Sequence, residues 1–175
     1  MSDAESDAAK FQIFRASDAK GLMDEGCMSI EPFTPVQRAG MDKVLEAGYL
    51  EGDEVRVLVN IPGFSLTHVW FKKNYPLPLH SHDADCLYYI IAGSLRLGTE
   101  DLGPRDSFFV PCDVPYTYRP GPDGVELLEI RQAGQFNFVN HAKGAAFWDK
   151  AAEIAASSRE DWKTAARPTL NAVDA

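Results

Sequence analysis

Period-two alternation of apolar and polar positions begins at Asp53. Val55, Val57, Val59 and Ile61 take every second place, with Arg56, Leu58 and Asn60 between them, which predicts a strand with two unlike faces. Pro62-Gly63 turns the chain into a second strand over Phe64 to Phe71, since such dipeptides punctuate extended runs. Pro76 and Pro78 flank Leu77 and make that stretch an edge or an irregular lead-in. Short strands follow over Asp85–Ala92, Ser94–Leu97, Ser107–Val110, Pro115–Arg119 and Val125–Arg131. Their expected turns are Gly93, Gly98, Gly103, Pro111, Pro120-Gly121-Pro122 and Asp123-Gly124. Evenly spaced short strands with Gly and Pro turns predict a sandwich or a barrel.

Helical patterning flanks this block. A short helix capped by Ser17 is expected to end near Gly26, and a second covers Val36 to Leu45. After Asn140 the period changes again, with a helix over about Lys143 to Ser157 and a further turn around Trp162. The division expected is residues 1–52 as an N-terminal extension (the first ten disordered), 53–140 as the β-barrel and 141–175 as a helical tail on the same domain.

The chemistry concentrates in one segment. His80 and His82 stand two residues apart at the start of a strand, so both imidazoles point to one side. Cys86, Tyr88 and Ile90 share that parity, while Leu87, Tyr89 and Ile91 take the other, and the strand reads as buried on both faces.

Composition narrows the function classes. With 175 residues, 45% hydrophobic and 25% charged, the chain is long enough for one well-buried domain. A net charge of −9 disfavours nucleic acid and anionic membranes as partners. No apolar run is long enough to span a bilayer. The acidic N-terminus is unlike a secretory signal, and Cys27, Cys86 and Cys112 form no pairing pattern, so a cytoplasmic location is expected.

The histidine segment resembles the first motif of the cupins, G-x5-H-x-H-x3/4-E-x6-G, running from Asn74 through His80, His82 and Cys86 to Gly93. The second motif falls on Arg105 to Tyr116 with its proline at Pro111. Asn74 stands for a glycine, Cys86 for the glutamate and Tyr116 for the third histidine. The resemblance implies an all-β fold, a single jelly-roll barrel with helical additions, and pairing as a homodimer. It also implies a divalent metal, Zn²⁺ or Fe²⁺, at His80, His82, Cys86 and Tyr116, ligand types that suit these ions.

Several roles remain open at this level. Cys86 is either a thiolate ligand or a small core residue, and Asp85 points away unless a bulge intervenes. Tyr116 is a ligand, a proton donor or a hydrogen bond to substrate. Tyr88 and His68 are the other candidates for moving protons, the alternatives being a packed tyrosine with its hydroxyl satisfied and an ordinary hydrogen-bonded histidine. His141 reads as a surface or capping residue. Trp70, Tyr88, Tyr116 and Tyr118 would wall a pocket, with Arg96 and Arg119 available to one carboxylate, unless the rings simply fill the barrel. The expected function is a metal-dependent enzyme (dioxygenase, lyase or isomerase) on a small, partly apolar or aromatic molecule. The alternative is a non-catalytic small-molecule binder with a degenerate metal site.

Overall fold

The computed structural model describes residues 10–171. All but the last residue of the disordered start expected over 1–10 lies outside them. Strand β1 (Lys20–Gly21), helix α1 (Leu22–Glu25), strand β2 (Met28–Ile30) and helix α2 (Pro35–Glu46) form the N-terminal part. Then come β3 (Asp53–Ile61), β4 (Phe64–Phe71), β5 (His80–Ser81), β6 (Cys86–Leu97), β7 (Glu100–Leu102), β8 (Ser107–Val110), β9 (Arg119–Arg131) and β10 (Phe136–Asn140). Helices α3 (Ala145–Thr164) and α4 (Pro168–Asn171) close the described chain.

Two sheets result, one ordered β1-β3-β4-β9-β6-β7 with β8 also on β6, the other β2-β10-β5. The architecture is the mostly-β jelly roll expected. The short helix placed at Ser17 is instead a 3-10 turn (Ala16–Asp18), then β1 and α1. Helix α2 begins where local chemistry dictates: Thr34 accepts from the Gln37 backbone N–H while the Gln37 side chain accepts from the Thr34 N–H, a reciprocal cap that satisfies two otherwise orphaned donors. The C-terminal helix and the separate turn at Trp162 are one helix, α3, because Trp162 is buried and its indole donates to the Lys73 carbonyl. No helix among the described residues is long and apolar enough to cross a membrane.

The largest departure from the pattern reading concerns β9. Pro120-Gly121-Pro122 and Asp123-Gly124, expected as turns, lie within this strand, which pairs with β6 from Arg96↔Arg119 to Cys86↔Arg131. Two register shifts absorb the irregular residues, as bulges do. Gly93 (φ +74°) and Gly124 (φ +79°) make this possible: a Cβ on Gly93 would lie 2.2 Å from the Gly124 carbonyl oxygen. Gly93→Ala is therefore expected to destabilise the protein by about 1–3 kcal/mol through backbone strain and overpacking. Urea unfolding checks this, and an unchanged midpoint would contradict the close approach.

Register decides which residues face the space between the sheets. Ser65, Thr67, Val69 and Phe71 of β4 pair directly with Arg131, Glu129, Leu127 and Val125 of β9. Cys86, Tyr88 and Ile90 of β6 pair with Arg131, Glu129 and Leu127. Directly opposed residues share a face, so these side chains line the interior. On the other face of β6, Leu87 and Tyr89 are 40% and 37% exposed. At these two positions the outer face is open among the described residues, while further along the same face Ala92 is buried near α4.

Candidate functional site

His80 and Ser81 form the short strand β5, held by β10 through Asn140↔His80 and Val139↔Ser81. The His80 backbone also exchanges both hydrogen bonds with Tyr116, which carries the tyrosine beside the histidine. Asp83 and Asn137 clamp the next turn, each carbonyl-bearing side chain accepting from the other's backbone N–H at 2.7 and 2.9 Å. The two imidazoles stand with ring centroids 5.1 Å apart. His80 Nδ1 donates to the Pro78 carbonyl and His82 Nδ1 to the Asn137 carbonyl. With the proton fixed on Nδ1, each Nε2 keeps its lone pair.

Both rings are held neutral. Burial pushes His80 down to about 4, with His82 beside it acting in the same direction. Burial, then the nearby Arg131 guanidinium, also lowers His82. Tyr88 and Tyr116 hydrogen-bond through their hydroxyls, and burial raises both, so they remain proton-bearing phenols at neutral pH. Tyr88 stacks on Phe108 at 4.4 Å, and Tyr118 closes the edge of that pair.

Two charged residues absent from the sequence expectations complete the cluster. Arg131, 1% exposed, forms an ion pair with Glu129 at 2.6 Å and reaches the Tyr88 hydroxyl at 3.5 Å. Its guanidinium also covers the Phe136 ring at 4.2 Å. Burial works against its charge, but Glu129, together with smaller contributions from Tyr88, Cys86 and Tyr116, raises it above the ordinary value. Beside this pair, Ser65 Oγ, Thr67 Oγ1 and Arg131 Nε are buried with no hydrogen-bond partner among the described residues. Ser65 lies opposite Arg131 and Thr67 opposite Glu129, so the three unmatched atoms belong to adjacent interior positions. All four continue a strand face of apolar residues with a polar group, a pattern that does not say which face turns inward.

The structure also separates residues that the pattern had grouped. His68 and Trp70 lie on the outer face of β4, because Thr67, Val69 and Phe71 fill the interior. His68 Nε2 meets the Glu126 carboxylate at 3.2 Å, and the other Glu126 oxygen accepts from the Thr169 N–H. Trp70 packs under Lys72 and Arg167. Neither belongs to the interior wall. Arg96 stands at the far end of β6, paired with Asp101 at the surface. Asp85 accepts from the Cys112 backbone N–H, and His141 hydrogen-bonds Ser81.

No protein-family model matches the chain, and no curated protein matches its sequence. Solved structures do match. The polyketide cyclase RemF from Streptomyces resistomycificus is 21% identical with a TM-score of 0.51, covering 61% of this chain and 83% of its own. The fold is that of a cupin. An RmlC-like cupin from Shewanella frigidimarina (24% identity, TM-score 0.43, 46% of this chain and 76% of that one) is also similar. So is oxalate decarboxylase from Bacillus subtilis (21%, 0.43, 47% and 25%), a protein with Mn(II) centres.

The metal centre implied by the cupin resemblance can be tested on the donors present. Two imidazole nitrogens are available and correctly fixed. Cys86 Sγ instead turns to the Leu87 carbonyl, and burial pushes its thiol up to about 12. The tyrosine hydroxyls engage each other, and Glu129 is held by Arg131. Among the described residues, no three His, Cys, Asp or Glu side chains converge as a metal site. His80 and His82 thus stand as a pair of imidazoles beside the Tyr88–Tyr116 phenol pair. A buried neutral thiol and a phenol occupy the places where the motif has a carboxylate and an imidazole, and a fixed guanidinium lies nearby.

Proposed function

We propose that this cupin is an enzyme of the lyase or isomerase class that moves a proton on a small aromatic molecule bearing a carbonyl or carboxylate. The observation that carries the reading is the trio of unmatched buried atoms on Ser65, Thr67 and Arg131 beside a neutral, proton-fixed imidazole pair. A buried polar group without a partner costs about 1–3 kcal/mol, and a substrate oxygen would satisfy such donors. His82 is the more exposed imidazole, at 7% against 4% for His80, so its Nε2 is assigned as the base. Arg131 would stabilise the developing oxyanion, with Glu129 keeping it in place. The Tyr88–Tyr116 pair would give a proton back to the substrate from a hydroxyl that stays protonated at neutral pH, the phenolate left behind taking up the proton that His82 removed. His80 is a positioning residue that holds Tyr116 through its backbone. No step passes through a metal.

Small aromatic keto acids in D2O, followed by proton NMR, test this. Exchange of the hydrogen next to the carbonyl should exceed the buffer rate, and His82→Ala or Tyr88→Phe should slow it by roughly a hundredfold or more. Failure of the folded protein to exchange any such acid would sink the proposal. A full equivalent of metal, retained without an affinity tag and lost in His80→Ala, would sink the metal-free route.

One observation favours the alternative, a non-catalytic binder: Tyr88, the proposed proton donor, is wholly buried and stacked face to face on Phe108 at 4.4 Å. Saturable binding of the same acids without exchange is its signature.

A further inference from the structure

A cleft of about 720 Å³ lies between α3, the segment Asn74–Leu77 and the far end of the larger sheet. None of His80, His82, Tyr88, Tyr116 and Arg131 lines it, while Tyr118 borders both the cleft and the Tyr88–Phe108 stack. Arg96, Arg119 and Lys150 line it, with no Asp or Glu among its lining residues, although the chain carries a net charge of −9. Tyr118, Phe147, Ile154 and Leu77 supply an apolar wall.

The arginines are arranged at a cost. Arg96 and Arg119 face each other directly across the β6–β9 ladder, and like charges at that position repel. Asp101 answers Arg96 from the exposed edge, and Glu153 answers Lys150. Both pairs are well exposed, a setting in which an ion pair contributes little and a ligand can displace it. Arg119 has no ion-pair partner among the described residues. An anion between the two guanidiniums would remove the repulsion and gain charge-assisted hydrogen bonds.

We propose that this cleft binds a small organic dianion with an aromatic body, its head group between Arg96 and Arg119 and its ring against Tyr118 and Phe147. Lys150 adds charge at the rim. This binding proposal does not rest on the activity proposed above.

Phenyl phosphate and inorganic phosphate, titrated calorimetrically into the full chain, provide the test. Phenyl phosphate should saturate, and more tightly than inorganic phosphate. In the Arg96→Gln/Arg119→Gln variant its Kd should rise about tenfold or more. The free variant's melting temperature should hold or rise, because a like-charge contact has been removed. Phe147→Ala should weaken phenyl phosphate while leaving inorganic phosphate unchanged, and His82→Ala should leave both unchanged. Absence of saturation, equal affinity for the two phosphates, or undiminished binding in the double arginine variant would each overturn the proposal.

Discussion

Replacing Arg131 by Met is expected to lower the unfolding free energy by about 3–5 kcal/mol, the cost of leaving a buried charge without its partner. Arg131 is almost wholly inaccessible, and its Nη1 lies 2.6 Å from Glu129 Oε2. Methionine keeps most of the apolar stem but abandons the carboxylate, the Tyr88 hydroxyl and the face of Phe136. The double variant Arg131→Met/Glu129→Gln should recover much of the loss, because no unpaired charge then remains. Urea unfolding of wild type, both single variants and the double variant closes the cycle. A single-variant loss below about 1 kcal/mol, the range of an exposed pair, would mean the ion pair is solvated.

Acidification supplies the second large effect. The His80 ring titrates near 4 in the folded chain against an ordinary value of 6.5. Between these values the unfolded chain binds a proton that the folded chain refuses. Stability from this group is therefore complete above about pH 6.5 and falls away as pH drops toward 4. The loss amounts to about 3 kcal/mol at 1.36 kcal/mol per pH unit. His82, lowered by burial and by Arg131, adds in the same direction. Asp53 opposes them. Burial pushes its carboxyl up to about 6, so its contribution is present at low pH and lost as pH rises through that value. Urea unfolding at pH 7, 6, 5 and 4 should show a net fall, shallower in His80→Asn. Parallel curves for variant and wild type would remove His80 as the origin.

Legibility was uneven, for physical reasons that particular residues display. The alternation of Val55, Val57, Val59 and Ile61 named a strand because a half-covered strand must alternate. The continuous run Phe64–Phe71 named a strand but hid its inner face: Leu66 and Val69 are both apolar, so parity could not choose. Packing against β9 turns His68 and Trp70 away from the interior, His68 as an ordinary hydrogen-bonded histidine. Within β9, Pro and Gly normally mark turns, yet two glycines with positive φ let β6 and β9 bend together instead. Strand β10 carries the Asn137 carbonyl that fixes the His82 proton. This strand, Phe136–Asn140, lies beyond the last strand expected.

By itself the sequence determined the β-rich middle, the flanking helices, the shared side of His80 and His82, and the cupin resemblance. Each follows from neighbours along the chain, where the period of side-chain direction is set by backbone geometry. Tertiary structure alone decided which faces look inward, that Glu129 and Arg131 enter the cluster, and that Cys86 turns to a carbonyl while two tyrosine hydroxyls meet. Those outcomes depend on residues tens of positions apart brought into register. Burial then sets their charges, a property that local order along a chain does not encode.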